Sequence, residues 1–90
     1  MNIEIHLPPM FRHIAGVKDK VSVSGGTIGE CLAELVRLYP DLREALLTDD
    51  GNVRHGISVF LNGENAYPDE PGKTVRDGDT IHIAQMVLGG

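Results

Sequence analysis

Cysteine and aromatic residues are scarce in this sequence. Its 90 residues include one cysteine, Cys31, and no tryptophan, and the aromatic fraction is 4%. A single cysteine cannot form an intramolecular disulfide, and it cannot supply the four thiolates of a ferredoxin-type iron–sulfur cluster. We therefore exclude a disulfide framework and a ferredoxin-type function. We expect Cys31 to be a buried structural thiol in a reducing compartment, the cytoplasm.

Basic residues and long apolar runs are also few. Eight Lys and Arg against thirteen Asp and Glu give a formal net charge of −5 at pH 7, and the basic residues form no run. Because nucleic-acid binding depends on a basic patch, we expect no nucleic-acid partner. No apolar run approaches the roughly 20 residues of a membrane span, and the charged N-terminus does not fit a signal peptide. We expect a soluble cytoplasmic protein without a membrane partner.

Motifs that hold phosphates or metals are missing as well. The sequence has no glycine-rich phosphate loop, no cysteine–histidine pair at useful spacing and no repeated cysteine. We therefore expect no bound cofactor and no metal site. Ninety residues make one small domain that buries only about 60–65% of its unfolded surface, which leaves little interior for an enclosed active site. We predict that the protein is not an enzyme.

Four segments alternate apolar and polar residues with the period of a half-buried strand. Pro8 and Pro9 end the first of them, because proline fixes φ and cannot donate to a ladder. We interpret residues 10–19 as a loop with at most one helical turn, and residues 64–73 as holding at most a short edge strand. The predicted strands are Asn2–Leu7, Lys20–Ser24, Gly56–Leu61 and Thr80–Gln85.

One helix is indicated by both its start and its period. Thr27 and Glu30 have the spacing of a capping box, and Pro40 ends the helical pattern. Asp41–Leu47 repeats the capping arrangement and predicts a short second helix. The apolar stripe of the main helix consists of Ile28, Leu32, Leu35 and Tyr39.

The order of these elements predicts an α+β fold. The first two strands form a hairpin, the main helix crosses the sheet, and the last strand then lies parallel to the first in the middle of the sheet. This is a β-grasp (ubiquitin-like) arrangement with a mixed four- to five-stranded sheet. Asn62-Gly63 predicts a hairpin turn. Asp77 and Asp79 we assign to shaping the turn before the last strand, not to acid–base chemistry.

The last five residues follow the final strand without a turn, a charge or a proline. We predict a β-grasp domain over residues 1–85 and a flexible C-terminal tail over residues 86–90, ending at Gly89-Gly90. Two glycines can enter a slot too narrow for any other dipeptide, and such a slot would hold the carboxylate of Gly90. Taken alone, the tail also fits an ordinary frayed terminus.

The motifs together resemble the ubiquitin-like sulfur carriers. This family includes the small subunit of molybdopterin synthase, the thiamine-pathway carrier and the thiocarboxylated carriers of cysteine or methionine synthesis. Ala84-Gln85-Met86 departs from the molybdopterin synthase subfamily, which places prolines there, and residues 50–55 look more like the cysteine-synthesis and archaeal carriers. The motifs that carry the resemblance are Thr27–Glu30, Tyr39-Pro40, Val59–Glu64, Arg76–Asp79 and Gly89-Gly90.

The resemblance implies a chemistry at the end of the chain. An ATP-dependent activating enzyme would adenylate Gly90, and a sulfur donor would convert the adenylate to a thiocarboxylate. The thiocarboxylate would then donate sulfur to a synthase subunit in the synthesis of molybdenum cofactor, cysteine, methionine or thiamine. ATP would be used by the partner, so the carrier would be a co-substrate. The partner's channel would bind the residues before Gly90, namely Met86, Val87, Leu88 and Gly89.

A partner surface is predicted from the strand alternation. If Ile81 and Ile83 point inward, four residues outside the tail should lie on the solvent face of the sheet. An exposed phenylalanine among them is typical of a partner patch. A register shifted by one residue would instead place that phenylalanine in the core. The predicted partner-binding residues are His6, Phe60, His82 and Ala84, with Met86 of the tail on the same face.

Two other functions remain open from the sequence. In one, the protein is a ubiquitin-like modifier that forms an isopeptide bond through Gly90. In the other, it is a plain β-grasp interaction module whose two glycines have no role. The carrier and the modifier share the activation step and differ only in the group that attacks the adenylate, so the sequence does not separate them.

Overall fold

The fold is described by a computed structural model that covers residues 2–16, 19–67 and 70–85. A 3₁₀ turn over Pro40–Leu42 joins the second and third helices. In chain order the elements are β1 (Ile3–His6), α1 (Pro9–Ala15), β2 (Lys20–Val23), α2 (Ile28–Leu38), α3 (Arg43–Leu46), β3 (Ile57–Leu61), β4 (Glu64–Asn65) and β5 (Thr80–Gln85).

The strands form one mixed sheet in the order β2-β1-β5-β3-β4. β1 and β2 form the predicted antiparallel hairpin. β5 lies between β1 and β3, parallel to β1 and antiparallel to β3. β4 is a two-residue edge strand, as expected for residues 64–73. The predicted β-grasp topology is confirmed, and it makes the last strand a central one.

The core lies between one face of the sheet and the helices. Ile3 and Ile5 of β1 point into it, as do Ile81 and Ile83 of β5. Val59 of β3 is fully buried beside them. Because burial of an aliphatic side chain stabilises the fold by about 1.5–3 kcal/mol, this face fixes the register of the central strands. The buried residues are Ile3, Ile5, Leu7, Phe11, Val21, Val23, Ile28, Cys31, Leu32, Leu35, Leu42, Leu46, Leu47, Val59, Ala66, Val75, Ile81 and Ile83.

Helix α2 begins at a cap close to the predicted one. The hydroxyl of Thr27 accepts a hydrogen bond from the amide of Glu30 at 3.1 Å. The carboxylate of Glu30 accepts one from the amide of Gly26 at 2.8 Å, one residue before the position expected in a capping box. Cys31 on this helix is buried, as expected. Its burial is the main cause that raises the pKa of its thiol, and the nearby charge of Glu30 raises it further.

The prediction of a loop over residues 10–19 was wrong for most of that segment. Pro9–Ala15 forms a seven-residue helix. Pro9 suits its first turn, where a missing N–H costs no hydrogen bond. Phe11 is fully buried and anchors the helix to the core. Gly16 ends it with a positive φ of 68°, and its amide donates to the carbonyl of Arg12 at 2.9 Å.

The short helix predicted after α2 is shorter in the structure. The segment predicted as one helix over Asp41–Leu47 is divided between the 3₁₀ turn and the four residues of α3. Its apolar residues are nevertheless buried, including Leu42, Leu46 and Leu47. Over the ranges that the structure describes, none of the helices has the length and apolar character needed to cross a membrane.

Candidate functional site

The predicted reactive end lies outside the described residues. Met86, Val87, Leu88, Gly89 and Gly90 all follow the last described residue, Gln85. The predicted boundary of a tail at residue 86 therefore stays a prediction. The structure does define the base from which these five residues start. That base is the carboxyl end of β5 together with the side chains around it.

The base is held by different neighbours on its two sides. On one side, β3 pairs with β5 to the end, so that Ile57 lies opposite Gln85. On the other side, the pairing with β1 stops at His82. Helix α1 follows there, and the carboxamide of Gln85 donates a hydrogen bond to the Sδ of Met10 at 3.5 Å. The end of β5 is therefore held by β3 on one side and by α1 on the other.

The four predicted partner-binding residues lie on the solvent face. His82 pairs with both His6 of β1 and Phe60 of β3, so the three residues form a row across the central strands. His82 is exposed, and His6, Phe60 and Ala84 are half-buried. Phe60 is outside the core because Val59 occupies the buried position next to it. The register is thus the predicted one, and the alternative that buries Phe60 was wrong.

This row extends across the whole sheet. Lys20 of β2 lies opposite His6, and Asn65 of β4 lies opposite Phe60. The rings of His6 and His82 stack with centroids 4.4 Å apart and planes tilted by 32°. We call this row, with Ala84, the open-face patch: an aromatic and imidazole centre with polar residues at both ends. Such a composition is typical of a protein-recognition surface.

The carboxylate of Glu4 lies beside His6 and Lys20 at one end of the open-face patch. One Glu4 oxygen lies 2.8 Å from the Nε2 of His6, and the other lies 3.9 Å from the Nζ of Lys20. These partly exposed pairs contribute little to stability and mainly orient the side chains. Over residues 2–16, 19–67 and 70–85, no three His, Cys, Asp or Glu side chains are grouped so as to hold a metal ion.

Asp77 and Asp79 have the structural role predicted for them. Asp79 accepts hydrogen bonds from the amide of Arg76 at 2.8 Å and from the carboxamide of Asn62 at 3.1 Å. Asp77 accepts one from the amide of Asn2 at 2.6 Å. The two carboxylates link the start of β5 to β1 and to the turn after β3. These hydrogen bonds hold the pKa of Asp79 below its usual range, and the one from the Arg76 amide has the largest effect.

Met10 and Ile57 were missed as neighbours of Gln85, the last described residue before the predicted tail. The first lies on a helix that was interpreted as a loop, and the second lies beside Gln85 only because of the strand register. Pro9 and Gly16 bracket α1 as an N1 proline and a C-terminal glycine, which is the sequence signal that could have identified the helix. No comparable signal marks the contact between Met10 and Gln85, because it joins residues far apart in the chain.

Comparisons with known proteins agree with this architecture. The ThiS family model matches residues 5–90. The chain is 27% identical to the sulfur carrier protein CysO of Mycobacterium tuberculosis over 93 residues, covering all of both chains. It is 35% identical over 72 residues to small archaeal modifier protein 1 of Haloferax volcanii, covering 79% of each. A crystal structure of that modifier superposes with a TM-score of 0.87 and 30% identity, covering all of both chains.

Proposed function

Because this chain belongs to the ThiS family, we propose that it is a sulfur carrier whose Gly90 carboxylate is adenylated by a partner enzyme and converted to a thiocarboxylate. The name of its relative CysO, a sulfur carrier protein aligned over its whole length, supports this function. The observation that carries the proposal is the position of β5. This central strand ends at Gln85, five residues before Gly90, which supports a role in which the diglycine is presented to a partner from the end of the sheet.

The proposed chemistry overcomes the low reactivity of a carboxylate. One oxygen of Gly90 attacks the α-phosphorus of ATP, pyrophosphate leaves, and an acyl adenylate with a good leaving group results. Sulfide then attacks the acyl carbon and displaces AMP, which leaves the thiocarboxylate. A persulfide donor gives the same product once a thiol has reduced the acyl disulfide that it forms. The carrier supplies the reacting carboxylate, and the enzyme supplies ATP and the base.

Two classes of partner follow from this chemistry. The first is the ATP-dependent activating enzyme, and the second is a synthase subunit that accepts the sulfur. Both need ATP or free thiols nearby, which suits the cytoplasm. The acceptor pathway belongs to the group that makes cysteine, methionine, thiamine or molybdenum cofactor. The carrier is a co-substrate in each case, and its relatives are carriers and modifiers as well.

The open-face patch is the proposed docking surface for these partners. It places Phe60 and His82 in the centre of the sheet and Ala84 one residue before Gln85. A partner seated on this face would therefore reach the tail without a gap. Aromatic residues at the centre of an interface commonly contribute most of the binding energy. Phe60 is accordingly the residue that we expect to matter most for affinity.

A second function is favoured by a specific relative. Small archaeal modifier protein 1 is 35% identical to this chain. A modifier would use the same adenylate, but the amine of a target lysine would attack it and form an isopeptide bond. The two functions therefore differ after activation, and an experiment on the state of Gly90 in the cell separates them.

The test is mass analysis of the C-terminal tryptic peptide, Asp77–Gly90, from protein isolated from its native host. Replacing one oxygen by sulfur changes the mass almost as much as oxidation of Met86 does. The peptide is therefore treated with an alkylating reagent, which caps a thioacid and leaves a sulfoxide unchanged. Alkylated Gly90 would support the carrier. Gly90 joined to lysine side chains would support the modifier, and a bare carboxylate under sulfur-replete growth would favour a plain interaction module.

A further inference from the structure

We infer that Met10 is a contact residue for the adenylating enzyme, on the opposite side of the sheet from the open-face patch. The inference rests on the proposed function, because it assumes that an enzyme encloses the tail. It adds a second surface, on helix α1, to the one predicted from the strands. Together the two surfaces would surround the base of the tail.

The position of Met10 follows from the topology. β1 and β5 are parallel, so the chain that leaves β1 enters α1 at the same edge of the sheet where β5 ends. Phe11 is fully buried and fixes this helix, whereas its neighbour Met10 is 53% exposed. The hydrogen bond of 3.5 Å from Gln85 to the Met10 sulfur places this exposed side chain beside the last described residue of β5.

Met10 and the open-face patch lie on opposite sides of the sheet. Ile81 and Ile83 are buried against the helices, and Gln85 continues the same alternation toward α1. Ala84 points the other way, to the solvent face. An enzyme that holds the residues after Gln85 in a channel must therefore meet the carrier on both sides. Contacts with the open-face patch alone would leave the α1 side of the channel mouth unfilled.

The length of the tail brings the enzyme close to Met10. Five residues span at most about 17 Å when fully extended, so the carboxylate of Gly90 reaches no farther than that from Gln85. The ATP site of the enzyme must lie within this reach, which brings the enzyme surface against the base of the tail. Met10 is an exposed apolar side chain in contact with that base.

The residue type also suits the position. One tail must serve an adenylating enzyme and a sulfur acceptor, whose surfaces differ. Methionine is unbranched and has a polarizable thioether, so it adapts to different apolar surfaces better than a branched side chain does. A flexible apolar residue at the shared base can therefore contact both partners.

The test measures ATP–pyrophosphate exchange by the host's adenylating enzyme as a function of carrier concentration. We expect Met10→Glu to raise the KM for the carrier about tenfold or more and Met10→Ala about two- to fivefold, with kcat nearly unchanged. Leu38→Glu is the matched control, since Leu38 is 43% exposed but lies on α2. It adds the same charge and should leave the KM as it is.

The outcomes separate the inference from the proposed function. No exchange with the wild-type carrier would overturn the proposed function, and this inference with it. Normal exchange with an unchanged KM for both Met10 variants would overturn the inference alone, as would an equal rise in KM for Leu38→Glu. Thermal melting of every variant is measured alongside. If Met10→Glu melts early, Met10→Ala decides, because it only shortens an exposed side chain.

Discussion

The amide nitrogen of Gly29 donates a hydrogen bond to the carbonyl oxygen of Pro71 at 3.0 Å. The preceding amide, that of Ile28, donates to the carbonyl of Lys73 at 2.9 Å. The first turn of α2 is therefore tied to the loop that leads to β5 by two backbone hydrogen bonds. These amides have no partner within the helix, so the loop satisfies donors that would otherwise need water.

Gly29→Ala should destabilise the protein although alanine favours helix. A Cβ at this position would lie 2.7 Å from the Pro71 oxygen, a backbone atom that cannot move without its loop. We expect a net loss, because overpacking costs about 1–3 kcal/mol and the gain in helix propensity is at most about 1 kcal/mol. Chemical denaturation measures the difference. Gly72→Ala is the control, since nothing lies within 4 Å of its Cβ. Equal stability of the two variants would contradict the steric argument.

Phe60→Ala should weaken partner binding and change stability little. Phe60 is half-buried on the solvent face and pairs with His82, so we expect a loss of about 1 kcal/mol or less. Val59→Ala is the matched control on the core side of the same strand, with an expected loss of about 2 kcal/mol or more. Melting temperature and the KM for adenylation are measured for both. A large fall in the melting temperature of Phe60→Ala would contradict its assignment to the surface.

The sheet could be predicted because its signals are local. Alternation in β1 and β5 and the Asn62-Gly63 turn determine which residues face the core, and the order of elements leaves few topologies. The burial of Val59 next to Phe60 therefore agreed with the predicted register. The same reasoning placed both His6 and His82 on the solvent face of the sheet, where they pair across β1 and β5.

The surroundings of the tail could not be predicted in the same way. Helix α1 depends on the burial of Phe11, and the seven-residue pattern is too short to show a helical period by itself. The contacts of Gln85 with Met10 and of Gly29 with Pro71 join segments distant in sequence. Such contacts follow from packing, which a single sequence does not display.

Asp79→Asn should lower the stability of the protein at neutral pH. It should also make the further fall in stability on acidification smaller than in the wild type. Hydrogen bonds from Arg76 and Asn62 hold the pKa of Asp79 below its unfolded value of about 3.9. The stabilisation is therefore present above that value and is lost as the pH falls through the lower, folded-state pKa. In Asp79→Asn, an amide group replaces one of the two accepting oxygens, so the stabilisation from these hydrogen bonds should already be missing at pH 7. Melting temperatures between about pH 7 and pH 2.5 measure this.

The control for this prediction is Asp49→Asn, which removes the same charge from an exposed loop position after α3. It should leave the melting temperature and its acid dependence close to those of the wild type. Both the wild type and the Asp79→Asn variant contain a second carboxylate of lowered pKa, that of Glu34. Its hydrogen bond with Arg37 is the main cause of the lowered pKa. A part of the acid dependence should therefore remain in Asp79→Asn. An unchanged melting profile in that variant would show that the turn does not depend on the carboxylate.

Gly90→Ala should leave the fold intact and block adenylation. Gly90 lies five residues beyond the end of β5 in the sequence, so the substitution changes no residue of the described core. In the proposed mechanism the methyl enters a channel that fits only glycine, and it moves the carboxylate away from the α-phosphorus of ATP. We expect an unchanged melting temperature and a fall in kcat/KM for pyrophosphate exchange of about 100-fold or more. Gly72→Ala, a surface glycine within the domain, should be adenylated normally. Adenylation of Gly90→Ala at the wild-type rate would mean that the enzyme's channel is wide. The diglycine would then owe its place to something other than a narrow slot.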